Sequence, residues 1–400
     1  MVSPPCRGRK DNSLEQHRLK RVIGWEPFLF LLGFFAIAAL FVSRMGFVNT
    51  LSTIMQTAYK LLLDTVLFLT AIAVIAGALS GLLQEFGVVA LIDKLMTPLM
   101  RPLFGMPGAA SIGAITTYMS DNPAILTLAA DKNYLRYFHK YQMPALTNLG
   151  TAFGMGAIIT TYVLGLSALT GQNYFLAALV GNLGAVVGAI ISTRLMLLFT
   201  RRLFGADAQA LEEGPQPLPR THRVVRTGSA ASRFLASMLD GGKTGVQMGI
   251  DIIPGVLVIC TFVMMLTGRP AENGLYTGAA FEGIGLLPAL GEKLQGIISP
   301  LFGLTSAEGI AVPITALGSS GASLSIVTRL VKEGLANQHD VAVFTAMCMC
   351  MSGYLSTHVA MMNALGYSNL TGKAIACHTI GGLLAGVSAH LIYTLIPLVV

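Results

Sequence analysis

Two polar clusters interrupt otherwise apolar stretches of this chain and carry its most chemically able side chains. The first is Ser120-Asp121-Asn122-Pro123, and the second is Gly318-Ser319-Ser320-Gly321 with Ser323 just beyond. A carboxylate inside an apolar stretch is costly to bury, so Asp121 reads as a group that meets a cation, a proton or a donor on a solute. It can equally cap a helix starting at Pro123, because proline suits the first helical position. Asn122 precedes that proline and is pushed away from helical geometry. Ser120 completes the turn. Ser319, Ser320 and Ser323 sit where a helix start would aim backbone N–H groups at an anion or carbonyl, although small residues also let helices pack closely. Thr117 and Thr315 lie just ahead of the two clusters, and threonine hydroxyls often bond their own helix. Asn148 needs a partner within its apolar span, either a solute or a neighbouring helix. His358 could relay protons or be a packing residue. Asp251 and Glu308 are weaker candidates, Glu308 as a charge at a helix start. Cys348 and Cys350 lie two apart and point in different directions on a helix, which suits neither a zinc pair nor a disulfide framework.

These groups are held by a chain of 400 residues that is 54% hydrophobic and only 11% charged, with a net charge of +7. Soluble chains carry nearer 25% charged residues, so this one lacks the polar surface to coat a soluble body. Its apolar residues come in long runs, the pattern of membrane helices. The positive charge gathers in the N-terminal tail and between Thr200 and Lys243, which fits cytoplasmic loops of a membrane protein better than nucleic-acid binding. The expected elements are a basic tail over 1–24, then a transmembrane helix and an interfacial segment over 25–60. Spans follow at Leu61–Leu83, Met143–Leu169 and Tyr174–Phe199, with a mixed, interface-lying stretch at Gln84–Phe104. A proline-rich linker over 200–243 leads to a second set at Thr244–Thr267, Val341–Leu365 and Lys373–Val400. No small-residue cleavage pattern follows the first apolar run, so it is expected to remain as an anchor. Met106–Ala130 holds two apolar arms of about ten residues around the first polar cluster, each too short to cross about 30 Å of hydrocarbon. This predicts a broken or re-entrant helical hairpin.

The second half repeats the first. Pro102-Leu103-Phe104-Gly105 recurs as Pro300-Leu301-Phe302-Gly303, an offset of 198 (300 − 102). At that offset Ala109, Ile112, Thr117, Ala124 and Leu126 meet Ala307, Ile310, Thr315, Ala322 and Leu324. Together these are nine identities over positions 102–127, where chance gives about two or three. The two polar clusters fall at matching places. The loop Asp131–Gln142 holds Lys132, Arg136 and Lys140, and only a hairpin before it keeps both it and the linker on the positive inside. The second half then starts from the opposite side. The expected fold is therefore all-α and polytopic, with about seven spans and two inverted repeats, 61–199 and 244–400. Paired broken segments in inverted halves are the best sequence pointer to a transporter site.

At these residues the chain resembles the nucleoside-recognition or Gate domain membrane proteins. These include spore maturation proteins, the membrane gate of the ferrous iron permease and relatives of concentrative nucleoside transporters. The resemblance rests on the Pro-Leu-Phe-Gly helix end, the small-residue hairpin and the following span in both copies. It implies a gate for a small polar solute, such as a nucleoside or organic anion; the inverted halves add the expectation of alternating access, and the basic tail that of a cytoplasmic N-terminus in a bacterial inner membrane. A coupling H+ or Na+ and a homo-oligomer are compatible with it, and no enzyme activity or other cofactor is expected. The chain lacks the permease's GTPase domain and paired gate cysteines, which argues against iron. Two alternatives stay open. Gly318–Gly321 also fits the G-x-S-G pattern of rhomboid-type proteases, with Ser320 as nucleophile and His358 as base. The protein could also be a non-transporting assembly partner.

Overall fold

In a computed structural model, residues 24–122, 124–125, 135, 137–210, 225–251, 253–270 and 274–396 are described. The basic tail, Pro123, most of 126–136 and the proline-rich part of the linker lie outside them. All named elements are helical. Helix α1, Trp25–Met45, is rich in Phe and Leu, and its 21 residues span about 30 Å at 1.5 Å per residue. Its surface is largely exposed, as befits a helix whose solvent is lipid. Gly46, at φ 79°, ends α1 and starts α2, Phe47–Lys60. Where the sequence predicts an interfacial segment and a fresh span at Leu61, a π-helical turn at Leu61–Val66 carries α2 into α3, Leu67–Glu85, without interruption.

The α2 helix is also bonded to the second half of the chain. Asn49 Nδ2 and Ser52 Oγ donate to the carbonyls of Tyr276 and Gly278, and Phe281 N donates to Thr57 Oγ1. That loop is shaped by the buried Glu282 carboxylate, which accepts from Thr277 N, Thr277 Oγ1 and Gly278 N. Phe41 of α1 packs edge-on against Phe262, with ring centroids 5.8 Å apart.

The remaining first-half helices are α4 Val88–Leu99, α5 Ala110–Met119, α6 Ala145–Thr151, α7 Gly156–Thr170 and α8 Phe175–Phe204. The second half runs through α9 Ala230–Asp251, α10 Thr261–Thr267, α11 Leu286–Phe302, α12 Ala311–Ala316 and α13 Ser320–Lys332. It ends with α14 Gln338–Cys350, α15 Tyr354–Ala364 and α16 Thr371–Leu395. The expected linker shortens at both ends, because α8 continues to Phe204 and α9 begins at Ala230. Among the described residues, four helical stretches are long and apolar enough to cross a bilayer. Two further pairs are sharply bent, by 71° between Glu85 and Val88 and by 78° between Phe302 and Ala307. This is a polytopic membrane protein.

Pairs of long helices cross on glycines. A Cβ on Gly77 of α3 would come within 2.4 Å of the Gly241 carbonyl oxygen on α9, and one on Gly188 of α8 within 2.6 Å of the Gly381 carbonyl oxygen on α16. Such close approach is how membrane helices gain contact without a hydrophobic drive between them. Backbone features also recur at the sequence offset. Gly105 and Gly303 (303 − 105 = 198) both end a helix with positive φ, 69° and 61°. Met155 and Gly353 (353 − 155 = 198) both start a helix with positive φ, 57° and 58°. The capping boxes His139–Gln142 and Asn337–Asp340 stand at the same spacing.

Candidate functional site

Two of the long segments predicted as single spans are broken in the middle. Met143–Leu169 unwinds between Thr151 and Gly156, and Val341–Leu365 unwinds between Cys350 and Tyr354. The polar clusters meet at the second break. In the first cluster α5 stops at Met119, and Ser120 donates its hydroxyl to Thr116 O at 2.8 Å. Asp121, half-buried, accepts from Asn122 N at 2.7 Å, which makes the tight turn. Asn122 is 1% exposed and donates Nδ2 to Ser352 O at 2.5 Å. Its Oδ1 occupies the space a side chain at position 154 would need: a Cβ on Gly154 would lie 1.3 Å from it.

In the second cluster Ser319 caps α13 by accepting from Ala322 N at 3.2 Å. Gly353 N donates to Ala316 O at 3.0 Å. Asn122 of the first tip and Ala316 at the end of α12, two residues ahead of the second cluster, thus hold adjacent residues, Ser352 and Gly353, of one unwound span. Asn122 and Ser320, one from each cluster, are both buried and both donate to carbonyls of the stretch 348–352, Asn122 to Ser352 O and Ser320 to Cys348 O.

Not every expected residue faces an open space. Thr117 and Thr315 each donate to carbonyls of their own helix, at 3.0 and 2.8 Å. Ser323 bonds Ser320 O and Cys348 Sγ. Asn148 has both of its amide hydrogens engaged by neighbouring helices, on Ser192 Oγ at 2.9 Å and Ala374 O at 3.0 Å. It therefore ties helices together instead of presenting itself to a solute. The serine protease alternative fails on geometry. Ser320 Oγ donates to Cys348 O at 2.5 Å, and His358 turns Nδ1 to Tyr354 O at 3.0 Å, so the pair does not form the nucleophile–base hydrogen bond that a dyad requires.

Behind the meeting point lies a polar chain that sequence reasoning missed. His378 Nε2 bonds Cys350 O at 2.5 Å, and its Nδ1 bonds Ser192 Oγ at 2.9 Å. A carbonyl can only accept, so Nε2 carries the hydrogen, Nδ1 accepts from Ser192, and Ser192 in turn accepts from Asn148. The same rule places a hydrogen on His358 Nδ1 and leaves a lone pair on Nε2. That nitrogen is buried without a hydrogen-bond partner, as are Asn122 Oδ1 and Thr151 Oγ1. His358 and His378 rings lie 4.7 Å apart. His358 was a candidate in the sequence, whereas His378 was missed, since a lone His in an apolar run carries no spacing signal.

A cavity of about 450 Å³ adjoins the first tip, with Ser80, Gln84, Ser120, Ser237 and Thr244 among its lining. Ion pairs border it: Glu85 with Arg233 at 2.7 Å and Arg226 with Asp240 at 3.1 Å. Arg226 reaches it from the end of the linker, a placement no local pattern announces. Among the described residues no group of three or more His, Cys, Asp or Glu is placed to hold a metal ion.

No profile of a known family matches the chain. Its fold is similar to that of solved concentrative nucleoside transporter structures. CNTnw in an inward-facing, substrate-bound state superposes with a TM-score of 0.51 at 17% identity, over 83% of this chain and 75% of that one. A doubly substituted variant of CNTnw in an outward-facing state gives 0.51 at 16% identity, over 93% and 84%. An uncharacterized protein of Alkalihalophilus pseudofirmus is 27% identical over 219 residues, 52% of this chain; the chain spans only 46% of that relative's length.

Proposed function

We propose that the protein is a secondary carrier of a small, uncharged polar solute of the nucleoside type. The observation that carries this reading is the hold on Ser352 and Gly353 of the unwound span by Asn122 Nδ2 of the first tip and by Ala316 O at the helix end just ahead of the second. Unwound backbone deep in an apolar protein is tolerated where it is buried or lines a solute's path. The recurring helix ends and helix starts support two inverted halves that rock about this point. The fold likeness to nucleoside transporters supports the same reading.

The site's chemistry narrows the solute. The segments 102–122, 143–193, 304–328 and 341–372 contain no lysine or arginine, and Arg226 and Arg233 at the neighbouring cavity are already paired with Asp240 and Glu85, so a carboxylate or phosphate would have to displace an existing ion pair. The unpartnered groups at the meeting point are Asn122 Oδ1, Thr151 Oγ1 and His358 Nε2. Two of them can only accept as placed, which favours a solute that brings N–H or O–H donors. An organic anion, equally open on sequence grounds, is disfavoured. Asp121 is the carboxylate assigned here to a coupling H+ or Na+. The basic tail and linker support a cytoplasmic N-terminus, and the setting proposed for the carrier is a bacterial inner membrane.

The test is uptake by the purified protein in proteoliposomes, with radiolabelled uridine, adenosine, uracil and succinate as probes. A nucleoside or nucleobase should accumulate and succinate should not. Asn122→Ala should lower uptake roughly tenfold, equivalent to about 1.4 kcal/mol, while the protein stays folded by circular dichroism. Accumulation of succinate alone, or uptake indifferent to Asn122→Ala, would overturn the assignment of solute or site. Failure of every probe, with binding to a second membrane protein instead, would make the chain an assembly partner.

A further inference from the structure

The same helix end is held by different chemistry in the two halves. In the first half Arg194 of α8 donates to the carbonyls of Pro102 and Leu103, at the end of the Pro-Leu-Phe-Gly segment. A permanent cation at a helix C-terminus complements the partial negative charge of its free carbonyls. In the second half the matching helix is α16, where the repeat offset of 198 puts Ile392 opposite Arg194 (194 + 198) and His390 stands two residues before it. His390 lies at the equivalent helix end: a Cβ on Gly303 would come within 2.6 Å of its Nδ1. It does not stand alone there. His339 Nε2 and His390 Nδ1 are 2.8 Å apart, with ring centroids at 5.0 Å and nearly perpendicular planes. A nitrogen–nitrogen hydrogen bond between imidazoles needs one hydrogen and one lone pair. It therefore exists only while at least one ring is neutral.

The titratable groups facing the pair are few. On α14 there is Asp340, whose carboxylate already accepts from Thr305 N and Asn337 N at 2.8 Å each. On α16 there is Tyr393, its ring 5.3 Å from that of His339. The turn at 302–305 contributes none, and α8, packed along α16, has no ionisable side chain before Arg194.

We propose that His339 and His390 form a pH-sensitive latch joining the start of α14 to the end of α11. With a lone pair available it is shut. With both rings protonated the bond is lost, the two cations repel, and His390 turns to the helix-end carbonyls that Arg194 holds permanently in the other half. His339 lies ahead of the apolar run beginning at Val341. Burial lowers its affinity for a proton, Asp340 raises it, and His390 lowers it again. A histidine so depressed stabilises the closed contact above its unfolded pKa of about 6.5, and that contribution is lost as pH falls below this. The device thus gives one half of the protein a response to acid that the other half lacks.

Hydrogen–deuterium exchange on the full chain in nanodiscs tests this without any solute. Between about pH 7.5 and about pH 5, and after correction for intrinsic exchange, peptides covering 300–308 and 338–345 should lose protection roughly tenfold. Those covering 102–108 should not change. His390→Arg should abolish the pH response, and Arg194→His should confer one on 102–108. If His390→Arg fails to fold, His339→Gln serves, because removing one imidazole must also abolish the response. Protection at 300–308 that is unchanged by acid in the native protein, or a response that survives in either variant, would overturn the latch.

Discussion

At the scale of single residues, the meeting point depends on small groups with no room to vary. Asn122 is held by Ser352 on one side and fills the space above Gly154 on the other. Gly154→Ala should therefore act as an Asn122 variant in disguise. The added methyl must displace the Asn122 amide, and uptake should fall about as far as in Asn122→Ala, with a stability loss of about 1–2 kcal/mol; uptake assays and thermal unfolding on the same preparation check this. Ser320 gives the opposite expectation. Its hydroxyl is buried and engaged with Cys348 O, so a fluorophosphonate probe should leave the native protein unlabelled, at the same background as Ser320→Ala. The polar clusters were legible in the sequence because Asp, Asn and Ser stand out among apolar neighbours. Their partners were not. Ser352, Gly154 and His378 become meaningful only when distant helices are brought together.

At the scale of elements, glycines decide where helices cross. Gly188→Val would press its side chain into the Gly381 carbonyl and Ala385, a backbone contact that cannot simply swing aside. It should lower stability by roughly 1–3 kcal/mol, read as an earlier melting transition in detergent. Gly33→Val on α1 meets nothing within 4 Å and should leave the transition unchanged. The existence and order of the helices were readable from apolar runs. The end of α5 was readable from the polar cluster that follows it, whereas the return arm expected of a hairpin falls almost wholly outside the described residues. The breaks in the two long spans were not readable. Ala152–Met155 is mostly apolar, and the residue that takes positive φ there is Met155, not a glycine, so the chain gives no local warning. The boundary expected at Leu61 was an error of a different kind. An amphipathic stretch up to Lys60 gives way to an apolar run at Leu61, which looks like a change of element, yet a π-helical turn passes straight through.

At the scale of the whole molecule, the repeat is the organising feature. Pro-Leu-Phe-Gly was visible as letters, whereas the matched capping boxes His139–Gln142 and Asn337–Asp340 share few letters and emerge only as geometry. If the halves are inverted, exposed Lys140 and Lys332 face opposite sides of the membrane. In a background with Cys6→Ser, Lys140→Cys should be protected from an impermeant maleimide added to intact cells, and Lys332→Cys should react. Labelling of both from the same side would remove the inversion.

The stitching of α2 to the 276–281 loop has a mechanical consequence. The N-terminal helices precede the first repeat in the chain but are fastened to the second, and Phe41 on Phe262 adds a further rivet. If the halves move against each other, these helices ride with the later one, and the unbroken α2–α3 rod must flex or pivot to let them. Its softest place is the π-helical turn at Leu61–Val66, where the appendage would be joined to the earlier half by a hinge.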